Sequence, residues 1–432
     1  NNYSLIIALD CGIKAIKKVE YANSKDIDFV ICDHHLPGDE IPNAVAILDP
    51  KRSDCNYPYK DLSGCGVGFK LLQAYAKINK ISFDELIPYL DLVAVSIASD
   101  IVPVTGENRV LTYFGLNQLN TEPRTGLRSI IKISRMEGKE LSVDDVVFKI
   151  GPRINAAGRM ESGRKAVDLL VTNDNREAGE MSRKINSYNI ERREFDRNIT
   201  QEALQMIAGD PKLSNSRSTV LYNPVWHKGV IGIVASRLIE TYYRPTIILT
   251  ESNGSATGSA RSVPGFDLYK AIDACGDLLE NFGGHMYAAG LTLKKENVPA
   301  FQQRFEEVVN RTITDEQLIP KVEIDAEIEF RDISDKFFQE LKRFEPFGPG
   351  NMAPVFVSRN VYDYGTSRVV GASAEHLKLE LVQDQDPNKP ISAIAFGQAN
   401  KFQEIRWKKS FDISYSVEEN NFRGEVTLQL NV

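Results

Sequence analysis

The chain has 432 residues, of which 42% are hydrophobic, 52 are basic and 59 acidic, for a formal net charge of −7. That length suggests about three domains with ordinary cores, and the negative balance excludes a protein that grips nucleic acid through overall basicity, leaving only a local basic stripe beside bound cations that a formal count omits. Five cysteines with no C-x-x-C pair argue against a disulfide or zinc framework and for a reduced, cytoplasmic protein, and no apolar run is long enough to span a membrane, so no membrane partner is expected.

The first elements carry the most chemistry. Leu5 to Leu9 is a short apolar run ending in Asp10, and Asp28 to Cys32 is a second one ending in Asp33-His34-His35. Both read as buried parallel strands covered on both faces, and in open α/β sheets the chemistry gathers outside the strand carboxyl ends. Ala15, Val19 and Ala22 lie between them at helical spacing, so the segment reads as strand, helix, strand, with Asp10 and Asp33 side by side if the strands are neighbours. An Asp/His group without cysteine suits Mg²⁺ or Mn²⁺ better than structural zinc, because hard carboxylate oxygens favour those ions and imidazole pulls toward manganese. A lone strand-end Asp is more often a cap, and a lone His a satisfied core residue; the doublet with a second strand-end Asp tips the reading toward function.

Gly64-Cys65-Gly66-Val67-Gly68 reads as a tight turn into a helix, since it does not match the G-x-G-x-x-G dinucleotide loop. Leu86, Leu90 and Val93 mark the inward face of a further helix, which Pro103 must end, and Asp100 sits in that terminus. Alone, Asp100 would be a turn residue. From Glu177 to Ala208 there is no proline and one glycine. A helix of ~30 residues would span about 45 Å, enough to bridge two domains, and its charges, Glu191 to Glu194, suit a solvated connector better than a core helix.

Next come a strand at Thr219 to Tyr222, a helix from about Gly229 and a strand at Thr246 to Thr250. Gly258-Ser259-Ala260-Arg261-Ser262 and Gly283-Gly284-His285 read as turns whose small residues let backbone amides approach an anion, with Arg261 able to grip phosphate. Each alone is more often an ordinary turn. Period-2 alternation at Val322 to Ile328, Leu377 to Leu381, Ile413 to Val417 and Val426 to Leu430 predicts a small barrel, with Phe347, Tyr362 or Trp407 as examples of aromatics for base stacking.

Ala8-Leu9-Asp10-Cys11-Gly12, Asp33-His34-His35 and Ser99-Asp100-Ile101-Val102-Pro103 resemble the second, third and fourth motifs of the DHH phosphoesterase superfamily. The segments Gly151 to Met160, His227 to Arg237 and Gly283 to Gly290 resemble the RecJ family of single-strand-specific 5′→3′ DNA exonucleases, and Glu345 to Asn351 is similar to the opening of that family's OB-fold domain. The resemblance implies an α/β fold: a DHH-type parallel-sheet domain over 1–172 lacking its first strand, a connecting helix over 173–209, an α/β DHH-associated substrate-binding domain over 210–318, and an OB-fold β-barrel over 319–432.

It also implies a reaction, phosphodiester hydrolysis at the 5′ end of single-stranded DNA in repair and recombination, with two Mn²⁺ or Mg²⁺ ions as cofactor. Asp10 would bridge the ions, His34 and Asp100 would complete one site, Asp33 would orient the histidines, and His35 would contact the scissile phosphate or support the metal. By the same resemblance Ser259 and Arg261, with Gly284 beside them, hold the terminal 5′-phosphate; Asn155 and Arg159 contact the DNA backbone, and His227 and His285 join the catalytic groups at a domain cleft. Single-stranded DNA is the expected partner, with a single-strand-binding protein and a recombination helicase beside it.

One departure stands out. Family members carry an Asp-x-Asp pair on an upstream strand, whereas Asn1-Asn2-Tyr3 directly precedes the second motif here. The expectation is therefore a piece of a longer protein that binds metal weakly and cleaves little DNA by itself. Two rivals stay open: another DHH phosphodiesterase acting on short oligonucleotides, which the barrel argues against, and a non-catalytic single-strand-binding protein of the same fold.

Overall fold

The short apolar runs near the start become parallel strands, as their lack of polar alternation requires. A computed structural model describes residues 3–383, 388–406, 409–422 and 424–432. Strands β1 (Leu5–Leu9), β2 (Asp28–Cys32) and β3 (Ala46–Leu48) form a parallel sheet in the order β1-β2-β3, with α1 (Ile16–Asn23) between the first two. Leu9 pairs with Cys32 and Cys32 with Leu48, so all three strands end level. Asp10, Asp33 and Asp49 follow at one edge.

The expectation of two strands covered on both faces holds poorly for β1, whose Leu5, Ile6, Ile7 and Leu9 are exposed. Among the described residues β1 is the edge of its sheet, while β2 lies between two neighbours and buries Ile31 and Cys32. Helices α2 (Gly64–Ile78), α3 (Leu90–Ser99) and α4 (Gly106–Thr121) supply most of this core, with Leu86, Leu90 and Val93 buried as an inward face. Ser63 caps α2 by accepting from the Gly66 N–H, so the glycines expected in a turn before the helix form its first turn instead.

The chain divides into two compact units, one of 1–123, 139–148 and 322–432, the other of 124–138 and 149–321. This partition cuts across the boundary expected at residue 172. Helix α5 (Thr125–Ile133) belongs to the second unit and the short α6 (Val143–Asp145) to the first. Helices α7 (Gly151–Met160) and α8 (Arg164–Val171) then pack, with α5, on α9 (Asn175–Gly209). The long helix is no purely solvated connector. It buries Ile185, Ile199, Ala203 and Ile207 along one face.

After α10 (Pro211–Ser214) the second unit builds a sheet from β4 (Thr219–Tyr222), β5 (Thr246–Ser252), β6 (Ser255–Arg261), β7 (Asn281–His285) and β8 (Ala288–Leu293) in the order β4-β5-β6-β8-β7. Helix α11 (Ile231–Tyr242) lies on one face; α12 (Leu268–Asp273) and α13 (Val298–Thr312), the latter bringing Phe301 and Phe305, lie on the core beneath the other. Both segments read as anion-binding turns are strands. Gly258, Ser259, Ala260 and Arg261 run through β6, and Gly283, Gly284 and His285 through the edge strand β7. Their small residues answer to close packing: a Cβ on Gly258 would lie 2.4 Å from Leu249, and one on Gly284 2.3 Å from the Ala288 carbonyl oxygen.

The remainder returns to the first unit with β9 (Ala326–Glu327), α14 (Asp335–Lys342), β10 (Phe356–Asp363), β11 (Arg368–Val370), β12 (His376–Gln383), β13 (Ile391–Ala395), α15 (Phe402–Ile405), β14 (Phe411–Phe422) and β15 (Glu425–Asn431). Pairing runs β10-β12-β13-β15-β14 and back to β10, a closed barrel with Val361, Leu379, Tyr415 and Leu430 inside. Of the alternating run Val322 to Ile328 only Ala326 and Glu327 form a strand, paired in parallel with Phe356 and Val357 of β10. Arg109 of α4 donates to the carbonyls of Arg343, Phe344 and Glu345, and the Val104 N–H to Pro349, tying the barrel's leading segment to the end of α3 and the start of α4.

Candidate metal centre and phosphate site

Strand register assembles the first site. Asp10 directly follows β1 and is held there by its own N–H on the Cys32 carbonyl, with φ at 63°. Ile101, next to Asp100, also has a positive φ, of 57°. Non-glycine residues in this region are uncommon, and for a β-branched residue the conformation is a genuine outlier, the kind of strain that gathers at functional sites.

His34 Nε2 lies 3.1 Å from Asp10 Oδ1 and 3.3 Å from Asp100 Oδ2. Asp10, His34 and His35 each bring one ligand atom within 4.8 Å of the others. Donation to the Asp10 carboxylate raises the His34 pKa above its ordinary value against the opposing effect of burial, and the charges of Asp100 and Asp10 add to the rise. Asp100 is itself pushed up, first by lost hydration and then by the Asp10 charge. Two carboxylates facing one imidazole nitrogen, with a second imidazole alongside, form a donor set that fits Mn²⁺ or Mg²⁺.

Asp33 is no ligand. Its buried carboxylate accepts from the N–H groups of Ile13, His34 and His35 and from His35 Nδ1 at 2.7 Å. Burial alone would raise its pKa, but these bonds hold it below the usual carboxylate value. Because an ionised carboxylate only accepts, His35 Nδ1 is the donor, and its Nε2 is left to face outward.

The second unit gathers a different set. Ser259 and Arg261 share one face of β6, and α11 begins against them: a Cβ on Gly232 would sit 2.8 Å from Ser259 Oγ and 3.0 Å from the Arg261 guanidinium. Arg261 donates to Ser259 Oγ and to the Ala260 carbonyl. Arg159 donates to the Gly229 carbonyl, and His227 Nδ1 accepts from the Gly229 N–H while its ring stacks on Phe195 at 5.0 Å. Burial lowers the pKa of Arg261, with the Arg159 charge adding to it, and burial likewise lowers Arg159. Among the described residues neither guanidinium has a carboxylate partner.

Asn155 and Arg159 lie one helical turn apart on α7. His285 pairs with Ala288, which pairs with Arg261, so His285 and Arg261 stand at one level across the sheet, with Gly283 and Gly290 on the floor beside them. Sequence reasoning missed Gly229, Gly232 and Phe195; the two glycines within His227 to Arg237 were the visible signal. It also missed Arg192 and Arg237, whose charges surround the buried Asp196 near Arg159.

The stacking candidates fare differently. Phe347 and Tyr362 are half-buried, and Trp407 lies outside the described residues; among the described residues the exposed aromatics of this part are Phe344, Tyr364 and Phe396.

Comparison with known proteins agrees with this architecture. The DHH family N-terminal domain matches residues 1–97, the DHHA1 domain 215–311 and the RecJ OB domain 324–432. Together these define a DHH-family protein carrying a RecJ-type barrel. The single-stranded-DNA-specific exonuclease RecJ of Escherichia coli (strain K12) is 32% identical over 446 residues, covering 99% of this chain and 76% of that protein. The RecJ of Bacillus subtilis (strain 168) is 39% identical over 382 residues, which make up 88% of this chain. The crystal structure of RecJ with Mn²⁺ from Thermus thermophilus superposes with a TM-score of 0.86 at 27% identity, over 99% of this chain and 61% of that one. The chain belongs to the RecJ family. It spans 47% of the length of the Bacillus subtilis relative.

Proposed function

We propose that this chain carries out metal-dependent 5′→3′ hydrolysis of single-stranded DNA in repair and recombination. The observation that carries the reading is His34 Nε2 held between Asp10 and Asp100 at the ends of neighbouring elements, with His35 beside it. A divalent ion, Mn²⁺ or Mg²⁺ as in the Thermus thermophilus RecJ crystals, would supply charge to the scissile phosphate and activate a water. Asp10, His34 and Asp100 hold that ion, and Asp33 fixes His35 so that its Nε2 meets the phosphate. Arg261 and Ser259 take the terminal 5′-phosphate and Asn155 and Arg159 the backbone next to it. The bare β7–β8 floor at Gly283, Gly284 and Gly290 lets the strand approach, with His227 and His285 at its margins.

The barrel gives the rest of the strand a surface. A cytoplasmic location fits cysteines that form no disulfide among the described residues, and no described helix is long and apolar enough to cross a membrane. A single-strand-binding protein and a recombination helicase are the partners such an activity would need to receive its substrate.

The test is release of mononucleotides from a labelled single strand by the full-length gene product in Mn²⁺. Wild type should degrade from the 5′ end, and Asp10→Asn should lose most of the rate. Absence of release by wild type, or a full rate in Asp10→Asn, overturns the proposal.

A further inference from the structure

A metal-binding histidine needs its second ring nitrogen anchored, and the carboxylate expected to anchor both histidines is fully engaged elsewhere. Asp33 Oδ1 serves the His34 and His35 N–H groups and the His35 ring, and Oδ2 serves the Ile13 N–H. None of these bonds reaches the His34 ring. His34 Nε2 faces Asp10 and Asp100, so Nδ1 carries the proton whenever Nε2 acts as a ligand, and among the described residues this buried Nδ1 has no hydrogen-bond partner.

One other buried group at the same sheet edge is in the same condition. Asp49 follows β3 as Asp33 follows β2, the two placed side by side by the Cys32–Leu48 pairing and by the Asp33 N–H on the Leu48 carbonyl. Asp49 is 2% exposed; its Oδ1 accepts from the Lys51 N–H, and among the described residues its Oδ2 has no partner. The charges of Asp33 and His34 both act on it.

We infer that Asp49 is a positioning residue for the metal centre: its Oδ2 takes the Nδ1–H of His34, directly or through one water, and so fixes the ring with Nε2 toward the ion. The two histidines then have separate anchors, Asp33 for His35 and Asp49 for His34. Such carboxylate–histidine–metal arrangements set the tautomer and raise the basicity of the ligating nitrogen, and their loss costs roughly 10–100-fold in metal affinity. The inference rests on the metal-centre reading.

Mn²⁺ binding by the full-length gene product, followed through the spin-resonance signal of free Mn²⁺, tests it. Asp49→Leu should weaken affinity by roughly 10–100-fold, and Asp49→Asn, which keeps an accepting oxygen, by much less. Thermal stability without metal should not fall in Asp49→Asn, so the isosteric variant separates anchoring from folding. In a His34→Ala background, Asp49→Leu should cause no further loss. Unchanged Mn²⁺ affinity in Asp49→Leu, or losses that simply add in the double variant, overturns the role of Asp49 and leaves the metal centre standing. No Mn²⁺ uptake by wild type overturns the metal centre itself, and this inference with it.

Discussion

On the proposed reading, a single side chain, Arg261, sets the polarity of hydrolysis. Its guanidinium is substantially buried and among the described residues satisfied only by Ser259 Oγ and the Ala260 carbonyl, with a second guanidinium near enough to disfavour its charge. A desolvated cation with only neutral partners gains most from a dianionic group, and a terminal phosphate carries more charge than an internal diester. Arg261→Ala should therefore slow degradation of 5′-phosphorylated strands by one to two decades, the kinetic equivalent of about 1.5 to 3 kcal/mol for a charge-assisted bond, and narrow their advantage over 5′-hydroxyl strands. An unchanged ratio of the two rates would remove Arg261 from end recognition. At this scale Asp10, His34 and His35 were legible because an apolar run ending in Asp or His announces itself. Asp49 was not, since only the pairing of β2 with β3 brings it beside Asp33.

Elements were legible where composition and environment agree. The strands before Asp10 and Asp33, the helix of 35 residues and the barrel strands with apolar alternation follow from their own patterns. Strand β6 did not: Ser-Ala-Thr-Gly-Ser-Ala-Arg has one β-branched residue, and its extended form is imposed by β5 and β8 on either side. The start of α2 was misread for a related reason. Gly64 lies in the first helical turn because Asp10 occupies the space of its side chain, a Cβ there falling 2.0 Å from Asp10 Oδ1. Gly64→Ala thus sets two effects against each other. Alanine improves helix propensity by up to about 1 kcal/mol, while the methyl group pushes an exposed carboxylate off its ligand position. We expect unchanged or raised thermal stability without metal together with at least a tenfold loss of Mn²⁺ affinity, read by melting curves and Mn²⁺ titration on the same preparation. Wild-type affinity in the alanine variant would show that Asp10 does not need the place it occupies here.

For the molecule as a whole, the proposed reading requires a chain of net charge −7 to hold a polyanion. The sequence supplied the barrel but not its binding face, because which aromatics point outward depends on a register that alternation alone cannot fix. On the outer side of β12 and β13 His376 meets Phe396 edge-on at 5.1 Å, and Lys378 pairs with Ile394 on one side and with Arg368 of β11 on the other. Burial first, and the Arg368 charge after it, lower the Lys378 pKa despite the nearby Glu380. Phe396 is an exposed ring on the strand pair by which OB-folds hold oligonucleotides, with Lys378 and Arg368 on the same sheet. If a base stacks there, Phe396→Ala should weaken binding of long single strands by about 1 to 3 kcal/mol and leave the salt dependence untouched, since no phosphate contact is lost. Lys378→Ala should do the opposite, a modest loss of affinity with the slope of log K against log salt reduced by roughly 1. Oligonucleotides too short to reach the barrel should be cleaved normally by both variants. Equal salt slopes in wild type and Lys378→Ala, with long-strand affinity retained in Phe396→Ala, would move the strand's path off this face of the barrel.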